Sequence, residues 1–240
     1  MDYKQAAKDF LENEKQFHLG VIPTEQSNPI TRNLSPTIAK DTAAGIKMIL
    51  GADVNIPSAT AKAFATKEFA QLVDDIKRVI DEKKTLLFSS VGASGRMALQ
   101  LDGMWRLFWT SMITKIPAKR QMFLENIERC NSFMTGGDRA LVKTAENYED
   151  YMTFGREQVK EAKVGPGDVV VGLAECGLSA SINGSVLEAD ERGCTTYYIY
   201  CNPKEILVKH LDRVRVVFER ENIIKISLFV GNMAVAGSTR

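Results

Sequence analysis

Short apolar runs alternate with longer stretches of helical periodicity from residue 85 of this 240-residue chain onward. The apolar runs predict strands at 85–91, 130–135, 169–173, 195–200, 214–218 and 226–230. Strands that alternate with helices form a parallel sheet covered by helices on both faces. The sequence therefore predicts an α/β fold in which a ligand lies beyond the carboxyl ends of the strands.

Helix signals occupy the remaining segments. Ser35 is the predicted N-cap and Pro36 the first residue of a helix that runs to Leu50. A second helix is predicted over 59–83, where apolar residues recur at helical spacing. Further helices are predicted at 94–109, after Asp138, and at 148–162, 179–192 and 203–210.

Charge and cysteine usage disfavour several function classes. The 31 basic and 30 acidic residues are mixed along the chain without a basic block, which argues against nucleic acid as a partner. No apolar run approaches the roughly 18 residues of a spanning helix, so we expect no membrane partner. The four cysteines form no CxxC pair and His18 and His210 are the only histidines, so we expect no metal site and no cofactor. Dispersed cysteines without an export signal predict a cytoplasmic protein.

A glycine- and serine-rich turn, Gly92-Ala93-Ser94-Gly95-Arg96, follows the first predicted strand and precedes a helix. Glycines let the backbone approach a ligand closely, and Ser94 and the free amides of the helix N-terminus can donate hydrogen bonds to a phosphate. The spacing matches neither a Walker A loop nor GxGxxG. The alternative is a tight strand-to-helix turn that binds nothing.

A second turn of this kind, Glu175-Cys176-Gly177-Leu178-Ser179, follows the third predicted strand. Because parallel strands end at the same edge of a sheet, we expect the two turns to converge there. One turn can then bind a phosphate, while the other reaches phosphate oxygens or sugar hydroxyls.

Six short motifs occur in order along the chain: Thr24-Glu25-Gln26-Ser27-Asn28-Pro29, Gly92-Ala93-Ser94-Gly95-Arg96, Gly136-Gly137-Asp138-Arg139, Glu146-Asn147-Tyr148-Glu149-Asp150, Cys201-Asn202-Pro203 and Gly237-Ser238-Thr239-Arg240. With these motifs the chain resembles the branch of SIS (sugar isomerase) domain proteins that contains N-acetylmuramic acid 6-phosphate etherase and the glucokinase regulatory protein. The resemblance implies a three-layer SIS-type fold with a mostly parallel sheet of about five strands. We expect residues 1–57 to form an N-terminal helical arm and residues 58–240 the SIS domain.

The resemblance also implies the site residues. Transferred by position, it places Ser94 and Ser179 against a phosphosugar and Glu149 over the sugar, where the etherases use a general base. The other contacts that we infer are Gly92, Ala93, Gly95, Arg96, Gly177 and Ser238. The alternative for Glu149 is a solvated helix start, because acidic residues favour the first turn of a helix.

Two positions depart from the etherases. Met104 stands where they carry the acid that assists departure of the lactyl group, and Asp102, two residues earlier, points to a different helix face. Cys176 stands where they carry a serine, and it fits a core position better than a phosphate contact. These departures put etherase activity in doubt and leave sugar binding intact.

The last motif bears on assembly. In the resembled proteins it opens a long helix that covers the sheet, and here the sequence stops at Arg240. We expect either a truncated chain or a natural protein that continues, with a second SIS domain as one form of continuation. Apolar surface left uncovered favours self-association, so we expect a homo-oligomer or a second SIS domain.

The sequence is therefore compatible with three functions. The preferred one is a regulatory or sensing module that binds a hexose or amino-sugar 6-phosphate without turning it over. The second is an etherase-like lyase with Glu149 as base. The third is an aldose–ketose phosphosugar isomerase, which ranks last because neither histidine lies near a glycine-serine turn.

Overall fold

Five strands form one all-parallel sheet in the computed structural model, which describes residues 2–14, 18–143 and 148–236. The strands are β1 Leu86–Ser90, β2 Cys130–Met134, β3 Val169–Ala174, β4 Thr195–Tyr200 and β5 Ile224–Ser227. Their order across the sheet is β2-β1-β3-β4-β5. The predicted α/β class and the parallel sheet of about five strands are confirmed.

Twelve α-helices lie in the described part of the chain. They are α1 Tyr3–Asn13, α2 Leu34–Lys40, α3 Thr42–Ala52, α4 Ile56–Phe64, α5 Lys67–Asp81, α6 Gly92–Lys115, α7 Arg120–Ile127, α8 Arg139–Val142, α9 Met152–Glu161, α10 Ala180–Glu191, α11 Lys204–His210 and α12 Asp212–Phe218. Among these helices, none is both long and apolar enough to cross a bilayer.

Alternate side chains of each strand point to opposite faces of the sheet, and each face has its own apolar core. Helices α5 and α6 cover one face, where Leu72 and Val79 of α5 pack with Val171 and Tyr197. Helices α9 to α12 cover the other face. There the buried residues include Ile182, Val186, Tyr198, Leu207 and Val214. The result is three layers, helix on sheet on helix, as predicted.

The predicted strand at 214–218 is wrong, because the structure has α12 there. Val214 and Val217 are the buried residues of this segment, and their spacing of three places both on one face of a helix. The run is rich in β-branched residues, which favour strands, but packing of this face onto the sheet overrides that preference. The last strand also differs, since β5 ends at Ser227 rather than continuing to 230.

Two long predicted helices are each interrupted by a capping residue. The helix predicted from Pro36 to Leu50 is divided at Asp41, whose carboxylate accepts a hydrogen bond from the Ala44 amide and caps α3. Ser35 is not an N-cap, since α2 already begins at Leu34. The helix predicted over 59–83 is divided at Thr66, which caps α5 in the same way.

Residues 22–31, which precede α2, are built into the α/β core. Ile22 and Thr24 are fully buried, and Ile22 packs with the core cluster under α10 to α12. Farther along, Asn28 donates a hydrogen bond of 2.8 Å to the Asn232 carbonyl, and the Thr31 hydroxyl donates one of 2.5 Å to the Ala234 carbonyl. The boundary at residue 57 between an arm and a domain remains a prediction.

Candidate functional site

The direction in which successive strands are added across the sheet reverses between β1 and β3. After β1 the chain moves outward to β2, and then crosses back to β3 on the other side of β1. Ser90, the last residue of β1, pairs in register with Leu173 near the end of β3. Open parallel sheets bind ligands beyond the carboxyl ends of the strands at such a point. The two predicted turns follow these two adjacent strands.

The first turn is part of α6, which begins at Gly92 rather than at the predicted Ser94. Gly92 has a left-handed φ of +57°, and a side chain at this position would meet no atom within 4 Å. The first hydrogen bond of the helix runs from the Gly95 amide to the Val91 carbonyl. The amides of Gly92, Ala93 and Ser94 therefore precede the helical ladder, at the positive end of a helix dipole.

The other two residues of the first turn differ in exposure. Arg96 is exposed to solvent. Gly95 is buried against β2, because any side chain there would overlap Met134. This contact gives Gly95 a packing role, which brings α6 close to the sheet.

The second turn leads into α10, and Ser179 is the N-cap residue of that helix. In the described structure the Ser179 side chain makes no capping hydrogen bond to the first amides of α10. Gly177 is fixed from below, because its carbonyl oxygen lies 2.9 Å from the Tyr198 hydroxyl. The same hydroxyl lies 2.9 Å from Oδ1 of Asn183, one turn into α10.

A buried asparagine supports the second turn from the side. Asn202, two residues after the end of β4, donates from Nδ2 to the Cys176 carbonyl at 2.9 Å and to the Thr24 hydroxyl at 2.8 Å. The Thr24 amide in turn donates to Oδ1 of Asn202 at 3.2 Å. Two of the sequence motifs, those of Thr24 and Asn202, therefore meet at this turn.

Glu149 lies in a short 3-10 turn, Tyr148–Asp150, ahead of α9 rather than inside the predicted helix. It is half-buried, and its neighbour Asp150 lies 3.7 Å from the Arg213 guanidinium. The chain just after this turn packs tightly on α10, because a side chain at Gly184 would overlap the Met152 backbone. A possible base role for Glu149 remains a prediction.

A buried chain of hydroxyl groups, which sequence analysis did not identify, lies below the two turns. We call it the hydroxyl chain: Thr135 Oγ1 donates to Ser181 Oγ at 3.0 Å, Ser185 Oγ donates to the Ser181 carbonyl at 3.1 Å, and Ser89 Oγ donates to Ser185 Oγ at 2.9 Å. Each member is 3% exposed or less. The only signal in the sequence is a serine or threonine near the ends of β1 and β2 and at positions 181 and 185 on one face of α10.

Neither Met104 nor Asp102 supplies an acid to the site. Met104 is 59% exposed on α6 and cannot donate a proton. Asp102 forms an ion pair of 2.8 Å with Arg106 and accepts a hydrogen bond of 3.2 Å from Ser132 of β2. It is the only carboxylate of α6, and these two contacts hold it toward β2.

The remaining predictions concern Ser238, a metal site and the cysteines. Ser238, like Glu146 and Asn147, lies outside the described residues. Within those residues no cluster of three metal-ligating side chains occurs. Burial raises the pKa of Cys201 to about 12, and it raises the pKa values of Cys130 and Cys194 to about 12 as well, so these thiols stay protonated at neutral pH.

Known proteins resemble this chain in sequence and in fold. N-acetylmuramic acid 6-phosphate etherases from Crocosphaera subtropica and Pasteurella multocida are 29% and 27% identical over 92% and 91% of the chain. The chain spans 63% of the length of each of these relatives. The solved structure of phosphoheptose isomerase from Neisseria gonorrhoeae matches with a TM-score of 0.50 and 16% identity, over 80% of this chain and 86% of that one, which shows a shared fold.

A family model matches one continuous segment of the chain that includes both glycine-serine turns. The model of the glucokinase regulatory protein N-terminal SIS domain matches residues 68–189, about half of the chain. This range includes β1, β2 and β3, both glycine-serine turns and most of α10. The chain therefore belongs to the family of glucokinase regulatory protein N-terminal SIS domains.

Proposed function

We propose that this chain binds a phosphorylated sugar, a hexose or amino-sugar 6-phosphate, as a regulatory or sensing module. The observation that carries the proposal is the pair of glycine-serine turns on the adjacent strands β1 and β3. In this proposal the phosphate lies at the N-terminus of α6, where the Gly92, Ala93 and Ser94 amides and the Ser94 hydroxyl donate to it. Ser179 then donates to a phosphate or sugar oxygen from the other side.

The contacts with the rest of the ligand come from the flanking segments. Glu149 and Gly177 lie against the sugar in this proposal, Arg96 supports the phosphate charge, and Ser238 closes the pocket. The names of the etherase relatives and of the isomerase neighbour both refer to phosphorylated sugars, which supports this ligand class. The chain spans 63% of the etherases and is 16% identical to the isomerase, so neither activity can be transferred to it directly.

Binding without turnover is favoured by the chemistry of α6. Elimination of a lactyl ether needs a base and an acid for the leaving oxygen, and the proton transfers contribute roughly 10²- to 10⁴-fold each. Met104 provides no proton, and Asp102 is held by Arg106 and Ser132. The proposed phosphate donors are present while α6 offers no free acid, which supports binding without turnover.

A calorimetric titration tests the proposal. We expect one of glucose 6-phosphate, fructose 6-phosphate, N-acetylglucosamine 6-phosphate or N-acetylmuramic acid 6-phosphate to bind at least tenfold more tightly than inorganic phosphate. Ser94→Ala and Ser179→Ala should each weaken binding about tenfold, since each removes one hydrogen bond to a charged or strongly polar group. Ser58→Ala, on α4, is the matched control and should leave binding unchanged. Equal affinity for inorganic phosphate and every sugar phosphate would contradict the proposal.

The second candidate is an etherase-like lyase with Glu149 as base. The sequence similarity to N-acetylmuramic acid 6-phosphate etherases favours it. Incubation with N-acetylmuramic acid 6-phosphate separates the two functions, because a lyase releases lactate that Glu149→Gln no longer releases. An isomerase ranks third, because His18 lies beside Phe10 and His210 ends α11, away from both glycine-serine turns in the sequence. Interconversion of aldose and ketose phosphates by the chain would support that function.

The setting of the module is part of the proposal. We expect a homo-oligomer or pairing with a second SIS domain, which the large exposed apolar side chains on α6, including Met97, Leu101, Leu107 and Phe108, support. We also expect a cytoplasmic location, with no nucleic acid or membrane partner. All four cysteines are free, as they would be in a reducing compartment. Sedimentation velocity of the chain measures its assembly directly.

A further inference from the structure

We propose that the Gly136-Gly137 turn, which follows β2, forms a third side of the ligand site, and that Thr135 positions this turn through Ser181. The inference rests on the proposed binding of a sugar phosphate. It adds backbone donors from the turn after β2, whereas the two glycine-serine turns follow β1 and β3.

The position of β2 places this turn beside the first one. Met134, the last residue of β2, pairs in register with Ser90, the last residue of β1. The Thr135 amide then donates a hydrogen bond of 2.9 Å to the Ser90 carbonyl, which continues the pairing past the end of both strands. The Gly136-Gly137 turn therefore emerges at the same sheet edge as Gly92, on the side of β1 opposite to β3.

The backbone of this turn is open to a ligand. Gly137 has a left-handed φ of +64°, and a side chain at this position would meet no atom within 4 Å. Gly92 has the same two properties in the first turn. Such glycines leave room for an oxygen to approach neighbouring amide groups. The Gly137 amide itself donates to the Met134 carbonyl at 2.8 Å, so the amides that we expect to face the ligand are those of Gly136 and Asp138.

The hydroxyl chain holds the turn in register with α10. Thr135, which is buried, donates from Oγ1 to Ser181 Oγ at 3.0 Å, and Ser181 lies two residues after the ligand-facing Ser179. The Thr135 hydroxyl also lies 3.5 Å from the Ser90 carbonyl of β1, so this one side chain joins the start of the turn to both the sheet and α10. Thr135 is thus a positioning residue, because it acts on the ligand through the turn.

Two pairs of variants of the full chain test the inference, with the sugar phosphate that binds wild type most tightly as the titrant. Asparagine tolerates a left-handed φ, so Gly137→Asn retains the backbone conformation while the new side chain fills the open space. We expect about tenfold weaker binding and an unchanged melting temperature. Gly193→Asn is the matched control, because Gly193 also has a left-handed φ of +78° but lies between α10 and β4, at the opposite end of the sheet.

The second pair addresses Thr135. Thr135→Val keeps the shape and removes the hydroxyl, and we expect about fivefold weaker binding. Thr135→Ser keeps the hydroxyl and should restore the affinity to within about twofold of wild type. Unchanged affinity in both Gly137→Asn and Thr135→Val would overturn the inference while the proposed function stands. Failure of wild type to bind any of the four sugar phosphates named above would overturn both.

Discussion

The hydroxyl of Tyr198 lies 2.9 Å from Oδ1 of Asn183, and both side chains are fully buried beneath the second turn. The same hydroxyl reaches the Gly177 carbonyl, so one phenol of β4 joins the turn to the helix that follows it. Burial raises the pKa of Tyr198, which keeps the phenol protonated and able to donate. The second turn is therefore supported by a side chain that is itself buried away from solvent.

Replacing this phenol should weaken the fold and the site together. Tyr198→Phe removes the single O–H that serves the buried Gly177 carbonyl and Asn183 Oδ1, so at least one of these acceptors loses its donor, and we expect a loss of about 1–3 kcal/mol in the free energy of unfolding. Binding of a sugar phosphate should also weaken several-fold. Urea denaturation and calorimetry measure the two effects.

The neighbouring tyrosine is the control for this prediction. Tyr197 points to the opposite face of the sheet and donates to Asp75 at 2.5 Å. Tyr197→Phe should also destabilise the protein, but it should leave the affinity for the ligand unchanged. An equal loss of affinity in both variants would show that Tyr198 has no specific effect on the second turn.

Two helical glycines should respond oppositely to alanine. A side chain at Gly155 of α9 would overlap the Ser181 carbonyl of α10, and since backbone cannot easily shift, we expect Gly155→Ala to cost about 2–4 kcal/mol. Gly103 of α6 has open space around it, so Gly103→Ala should stabilise the protein by about 0.5–1 kcal/mol. An unchanged or higher melting temperature in Gly155→Ala would contradict the packing described for α9 and α10, and a lower one in Gly103→Ala would contradict the open space on α6.

Asp102 should prove structural. Asp102→Ala leaves the Arg106 guanidinium, which is 36% exposed, with its contact to Glu128, and we expect a loss of about 1–2 kcal/mol in stability. Sugar phosphate affinity should not change, because Asp102 is held toward β2. Asp81→Ala, at the end of α5, is a control for removing a helix carboxylate. A large loss of ligand affinity in Asp102→Ala alone would return this residue to the site.

Three cysteines should be unreactive in the folded protein. Burial raises the pKa of Cys130, Cys194 and Cys201 from an ordinary 9 to about 12, so at pH 8 we expect iodoacetamide to label them only after unfolding in urea. Between pH 9 and about 12 the folded state retains the three thiol protons, whereas the unfolded state has released them. The free energy of unfolding should therefore fall as pH rises through that range. Mass spectrometry of labelled peptides, and urea titrations at pH 8 and pH 10, check both statements.

The strands and both turns were predictable because their signals are local. Apolar runs that end at Gly92 or lead to Gly177 identify β1 and β3 without knowledge of the rest of the chain. The segment at 214–218 failed because its valines fit strand alternation and helical spacing equally well. Only the apolar surface that α10 and β4 offer to Val214 and Val217 selects the helix.

The support of the site was not predictable, because its partners are far apart in the sequence. Thr135 and Ser181 are separated by 46 residues, and Thr24 and Asn202 by 178. Serine, threonine and asparagine are common surface residues, so their burial in hydrogen-bonded pairs follows only from the strand order. The start of α6 at Gly92 was missed for a related reason, since a left-handed glycine as a helix's first residue leaves no pattern in the sequence.

The contacts of Asn28 and Thr31 with the carbonyls of Asn232 and Ala234 set an order for folding during synthesis. These pairs are separated by 204 and 203 residues, so the segment that precedes α2 leaves the ribosome long before its partners exist. Chains emerge at about 5–20 residues per second, which is a delay of roughly ten to forty seconds. The sheet from β1 to β4 can form in that interval, before Asn28 and Thr31 meet Asn232 and Ala234.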